Sequence, residues 1–558
     1  MCRLIFIAVF TVISIFCQAQ TRVQFRVDMS KPVEIGLFEP LSGDHIIIRG
    51  SFNNWQGDDY ILYDKGSDYI FSGDFSIEED PGASVEYKFV ILKAAGKNLW
   101  EKYPDPDNPP NGNRVFILDT GYQELGPVKY HFDKYYLALA GKEVIFSVEE
   151  MQQDFNQMRQ TLENEHCCLY EYTSKEIFDS LFQHQYELIT APLHPHEFYN
   201  ILSPITAKIG CMHTAVWMPG GFWDMQPDNL FPLRVKLIED YVVVAGSYID
   251  TIQVPAGSII LEINGKPVHE IIGEMRKNIS ADALNIHFVN SQIEKRFPMI
   301  YARRYGFPEK YRLTYALPGQ KTRTTIELSP ANIQSVRADV FKNFNHPPLK
   351  LEILEQKNTA IMKIPSFIFY DRVDYFKHFL DSSFTLIREK EIGNLLLDLR
   401  GNDGGDPFCA VPLLAYLEHE PVPYFAEPYG RYAEFANPVH LAKNHFTGNL
   451  YTLLDGYCGS TNGHFAALLK YHKIGKIIGT PTGATYKCNA GRNTEISLEH
   501  TRIIVTFGRS TFAAAVNGMD KSQPIMPDYP VWETYSDFLN GRDIYFETAI
   551  KLIDSTND

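Results

Sequence analysis

The sequence predicts a multidomain chain: an all-β sandwich at the front, a helical segment, a small α+β domain and a C-terminal α/β core. Three observations predict it. The 558 residues exceed what one hydrophobic core organises, at roughly 150 residues per domain. Short aromatic and β-branched runs broken by turn residues fill the first quarter, and helical spacing follows them. In the last two-fifths strand-like and helix-like runs alternate, the pattern of a mainly parallel sheet.

The first residues, Met1 to Gln20, carry Arg3, the apolar run Leu4 to Phe16 and the small residue Ala19. A basic start, a hydrophobic stretch too short to span a bilayer and a small residue at the end predict a secretory leader, residues 1–19, cleaved after Ala19. The expected location is periplasmic or extracellular. From 20 to 128, runs such as "HIIIRGSFNNW", "YIFSGDFSI" and "VEYKFVIL" predict an immunoglobulin-like sandwich, with "PDPDNPPNGN" as a loop. Residues 129–225 form the helical segment, because "VEEMQQDFNQMRQTLENEH" and "SKEIFDSLFQHQYELIT" place apolar residues three and four apart. Residues 226–330 return to strands and include "GSIILEINGKPVHEIIGEM", read as strand, Asn264-Gly265 turn, strand and helix. The core, 331–558, begins with "TAIMKIPSF", a helix near Asp374 to Lys390 and the buried strand "GNLLLDLR".

Composition narrows the function. Hydrophobic residues are 45% and charged residues 22% of the chain, the balance of a globular protein. Lys and Arg number 52 against 68 Asp and Glu, a formal charge of −16. A nucleic-acid partner is not expected, since phosphate binding needs positive charge. Beyond the leader no run approaches the roughly eighteen apolar residues of a membrane span. Cys167, Cys168, Cys211, Cys409, Cys458 and Cys488 are scattered, without a C-x-x-C pair or H-E-x-x-H helix, so neither a disulfide scaffold nor zinc has sequence support.

The chemistry gathers in the core. In "LLLDLRGNDGGDPF" an apolar strand runs into Gly401, Gly404 and Gly405, a turn whose amides can face a cleft. In "LYTLLDGYCGSTNGHFAALLKYH" a second strand leads to Ser460 at a helix start. Serine there serves as a helix cap, or as a nucleophile beside free helix amides.

In order, "SPITAKIGCMHTAVW", "GSIILEINGKPVHEI", "LLLDLRGNDGG" and "LYTLLDGYCGSTNGHFAALLKYHKIGKIIGTPTGA" resemble the motifs of the tail-specific, or C-terminal-processing, serine peptidases, tricorn-like branch, over about residues 145–553. The resemblance implies a PDZ-like domain at 226–330, a ClpP/crotonase-like core, a polypeptide substrate and no cofactor or metal. It places the nucleophile on Ser460 and the oxyanion hole on the amides of Gly404 and Thr461. The tricorn-like branch puts the base on His213. The lysine branch puts it at Thr485, two residues before Lys487, which stays open as the alternative. The carboxylate expected near the end of the core falls on Lys521, so Asp520 is the substitute; Asp528 matches a structural Pro-Asp. Cys211 and Met212 depart from the residues usual before the histidine. With the missing glutamate, they keep a silent peptide- or ligand-binding relative as the alternative function. An α/β-hydrolase reading fails, since G-x-S-x-G is absent around Ser460.

The front domain resembles starch- and glycogen-binding modules through "GSFNNW", "VEYKFVI" and "NLWEKYPDPDNPPNGNR". That resemblance implies an α-glucan contact by Trp55, Lys88, Trp100 and Asn113: sugar faces stack on indoles while Lys88 and Asn113 hydrogen-bond hydroxyls.

Overall fold

The computed structural model describes residues 21–95, 98–102, 112–250, 254–342, 348–487 and 493–557. The expected leader, most of the "PDPDNPPNGN" loop and Cys488 lie outside them. The chain divides into two compact units, Met1–Val144 and Ile145–Asp558.

In the first unit seven strands pair in one continuous order, and an eighth, Arg114–Ile117, pairs at its side with Ser84–Leu92. Burial alternates along Thr21–Asp28, as the two-residue period of a strand demands when one face is covered. Phe25 of that strand meets Tyr87 and Phe116 edge-on, at 5.0 and 5.8 Å. Neither partner's strand pairs with Thr21–Asp28, so the sheet folds over and closes two layers on one core. Tyr130 and Tyr136 pack into that core, which carries this unit to Val144.

The second unit opens with three helices, Val148–Glu165, Lys175–Glu187 and Pro195–Ile209. The first starts at a capping box: Glu150 N donates to Ser147 Oγ at 3.3 Å and Ser147 N to the Glu150 carboxylate at 2.8 Å, satisfying amides that a helix start leaves open.

Next comes an antiparallel sheet of Leu233–Ile238, Tyr241–Ser247, Ile259–Ile263, Tyr311–Ala316 and Arg323–Leu328, with Lys266–Pro267 at its side. Asn264 and Gly265 both take positive φ, 51° and 80°, the backbone of a two-residue hairpin turn. The helices Val268–Arg276 and Ile286–Tyr305 share its core, with Val244, Ile263, Ile293 and Phe297 fully buried.

The core sheet orders Lys350–Leu354, Thr359–Lys363, Asn394–Asp398, Asn449–Leu454, Lys476–Gly479 and Tyr529–Pro530; the first pair is antiparallel and the rest parallel. Leu395, Leu396 and Leu397 are fully buried, as expected of a strand covered on both faces. The molecule is thus a multidomain mixed α/β protein. A three-stranded sheet links distant segments: Ile504–Gly508 pairs with Asn493–Ser497 on one side and Ala215–Trp217 on the other.

Candidate active site

Two neighbouring parallel strands deliver the chemistry. Asn394–Asp398 ends before the 401–405 turn and Asn449–Leu454 before Ser460, so both motifs emerge at the carboxyl edge of the sheet, where open α/β sheets place their sites. Ser460 begins the Ser460–Tyr471 helix and is held at φ 51°. A non-glycine residue in that region is strained, and such strain persists where surrounding structure over-determines it.

His213 reaches the serine from far away in sequence. Gly210 ends the Pro195–Ile209 helix in the left-handed region, φ 75°, and a Cβ there would stand 2.8 Å from the Tyr172 ring. The chain then turns through Cys211 and His213 into Ala215–Trp217, which the Ile504–Gly508 strand fixes in place. His213 Nε2 lies 3.2 Å from Ser460 Oγ. Behind it, buried His166 accepts Cys168 N on Nδ1 at 3.0 Å, so its Nε2 carries the proton and donates to Thr214 Oγ1 at 2.8 Å. Burial pushes the His166 pKa down to about 4, so this ring is a neutral strut. Met212 fills the space over Gly459: a Cβ on that glycine would be 2.5 Å from Met212 Cε. The departure before the histidine is therefore a packing contact beside the serine.

A ring nitrogen of His213, Cys211 Sγ and a carboxylate oxygen of Asp282 lie within 4.8 Å of one another. Asp282 is 1% exposed. Its Oδ1 accepts Met212 N at 2.9 Å, and the next residue, Ala283, donates its N–H to Gly210 O at 2.9 Å. Two bonds thus staple the 282–283 turn to the histidine turn, and Ala283 and Leu284 take φ of 49° and 63°, strain again stored beside the site. This trio is a candidate for holding a metal, but burial raises the Cys211 thiol to about 12, which favours a protonated thiol over a thiolate ligand.

The expected substitute is Asp520. It is exposed, and its Oδ1 accepts from Ser522 N at 2.9 Å and Ser522 Oγ at 2.7 Å, bonds that hold its pKa below the usual value. Lys521 and Lys487 both pair with Glu171, the latter at 2.9 Å. Asp528 accepts Ile477 N at 2.8 Å and Lys470 Nζ at 2.5 Å, a structural tie between helix and sheet.

In the glycine turn the expected oxyanion donor is already engaged. Gly404 N donates to Asn402 Oδ1 at 2.9 Å. The bonds of the next stretch run from Phe367 N to Gly404 O and from Asp406 N to Phe367 O, so Gly405 N is passed over. A Cβ on Gly404 would lie 2.7 Å from Ser460 Cβ and 2.9 Å from Thr461 N. Only glycine brings this turn so near the helix start. Two cavities flank Ser460 and His213, both lined by Gly405. The second, of about 650 Å³, is walled by Pro407 and by Tyr429 and Phe512, whose rings stack at 4.7 Å.

Residues 358–530 match the family model described as Peptidase family S41. The chain carries an S41 peptidase domain. The matched family is one of peptidases, which are hydrolases. Solved structures are similar in fold over about three-quarters of the chain: mature CPAF complexed with lactacystin is 12% identical, with 74% of this chain and 99% of that chain covered and a TM-score of 0.54. Mature CPAF alone gives 12%, 74%, 98% and 0.55. A CPAF mutant gives 10%, 73%, 97% and 0.56. No curated protein matches the sequence.

In the first unit Trp55 and Trp100 lie side by side, centroids 6.4 Å apart and planes 38° apart. Arg49 stands over the Trp100 ring at 5.2 Å. Lys88 is 8% exposed, and Asn113 Nδ2 donates to Glu86 at 2.7 Å.

Proposed function

We propose that the protein is an exported serine endopeptidase working through a Ser460 acyl-enzyme, with His213 as general base. The single observation that carries this is the 3.2 Å contact of His213 Nε2 with Ser460 Oγ at a helix start. Ser460 Oγ attacks a peptide carbonyl as Nε2 takes its proton. The tetrahedral oxyanion is received by Thr461 N and, in place of Gly404 N, by Gly405 N. The imidazolium returns its proton to the leaving amine, and water then hydrolyses the ester by the same route. The staple between Asp282 and the histidine turn supports Asp282, in place of Asp520, as the carboxylate that positions the imidazole. The Ser–Lys alternative is disfavoured by the Glu171 pairing of Lys487.

The test is cleavage of unfolded casein and a mixed peptide library, read by mass spectrometry, with Ser460→Ala and His213→Ala beside the wild type. Both variants should lose cleavage by at least about a thousandfold. A folded wild type that cuts nothing would establish the silent relative. The neighbouring indoles of Trp55 and Trp100 support a second, separate reading of the first unit as an α-glucan contact. Affinity electrophoresis in glycogen with Trp55→Ala checks it: unchanged retardation of the variant rejects glucan stacking.

A further inference from the structure

The first cavity beside Ser460, about 390 Å³, is charged in a way the acyl-transfer chemistry does not require. Arg296, Arg303 and Asp403 line it, together with His213, Gly404 and Ser460. Arg303 is 7% exposed, and burial lowers the pKa of Arg296. Neither arginine forms an ion pair with a carboxylate among the described residues, whereas Asp403 pairs with Lys295 at 3.6 Å. The cavity wall thus carries two guanidinium groups and one carboxylate; Asp403 acts on Arg296 through space, and its ion pair is with Lys295. A cation taken out of water without a partner is costly, so its persistence calls for a partner that arrives later.

Two further observations point into the same space. Arg296 Nε and Ser280 Oγ are buried without a hydrogen-bond partner among the described residues, and Ser280 lines the cavity too. The helix is shaped to present the arginines. Its backbone leaves helical geometry at Arg296, φ −123°, two residues before Pro298, whose ring and missing N–H open a helix at that point. Arg303, seven residues on, returns to the same face after two turns. Its guanidinium stands 5.8 and 5.4 Å from the centroids of the Tyr199 and Trp217 rings, which fixes its plane without neutralising it.

We propose that this cavity is an anion subsite in which Arg296 and Arg303 receive a carboxylate of the polypeptide substrate, with Ser280 as a further donor. The planar guanidinium matches a carboxylate through paired hydrogen bonds. The carboxylate is an Asp or Glu side chain near the scissile bond. This inference rests on the peptidase reading for its substrate class, and the experiment separates the two.

Matched peptides are compared on the full mature chain: one series with Glu replaced by Gln at each position, another with a free C-terminal acid replaced by the amide. The wild type should lose at least tenfold in kcat/KM on one Glu-to-Gln substitution, whereas a loss confined to the amide series would overturn the side-chain subsite. The preference should shrink to below threefold in Arg296→Met or Arg303→Gln, with thermal unfolding reporting that each variant folds. Binding of the same pairs to Ser460→Ala, by calorimetry, reads the preference without catalysis. Tighter binding of the carboxylate peptides by a chain that cuts nothing keeps the subsite and rejects the peptidase. Equal binding and equal cleavage of charged and neutral peptides overturn the subsite, as does a preference that survives in both arginine variants.

Discussion

Gly404 and Asp282 carry the sharpest consequences of single side chains. Gly404→Ala would drive a methyl against Ser460 Cβ, 2.7 Å away, from a residue held at φ 109°. The serine turn must shift, and kcat should fall about a hundredfold, as for loss of an oxyanion donor. Peptide turnover set against unfolding temperature separates that from simple destabilisation. Asp282→Asn keeps the shape but should weaken the proposed hold on the imidazole tautomer. Its kcat should drop by about 10² to 10⁴ and the pH profile should move, while Asp520→Asn stays near wild type; equal effects of the two would remove Asp282 from the positioning role. Ser460 and the glycine turn were legible in the sequence because each sits in a short local pattern. Asp282 was not, because "NISADALN" reads as a polar loop and its link to Met212 spans 70 positions.

Elements with strong local periodicity were the easiest to read. "VEEMQQDFNQMRQTLENEH" predicts a helix, and Val148–Glu165 is one, buried along Met151, Phe155, Met158 and Leu162. Its capping box is a measurable part of that helix. Ser147→Ala should cost about 1 kcal/mol, seen in urea unfolding as a lower midpoint at unchanged slope. The kink at Arg296 escaped the sequence reading. Pro298 announces a break, but which side chain the break presents depends on the cavity wall it meets. The Ala215–Trp217 strand was also beyond reach, since three residues make a strand only when Ile504–Gly508 lies alongside.

At the scale of the S41-bearing unit, two of the buried carboxylates should contribute to acid–base stability. Glu294 and Asp455 line a cavity of about 840 Å³. Burial raises Glu294 to about 7 and Asp455 to about 6. Each therefore binds a proton in the folded chain that it has lost in the unfolded one over the interval between its ordinary and its raised pKa. Stability from these groups is complete below about pH 4 and is lost as pH rises to about 7. Glu294→Gln should flatten the fall of unfolding temperature between pH 5 and 7.5. A slope unchanged from wild type would mean that Glu294 titrates alike in both states.

The pairing of Ala215–Trp217 with Ile504–Gly508 also sets when the enzyme can first act. During synthesis the residue we assign as base leaves the ribosome nearly three hundred residues before the strand that fixes its position. Ser460 itself emerges earlier than that strand. A chain grown only as far as Ser460 thus holds both reacting groups without the brace beside the histidine turn, and it should cleave nothing until Ile504–Gly508 has been added.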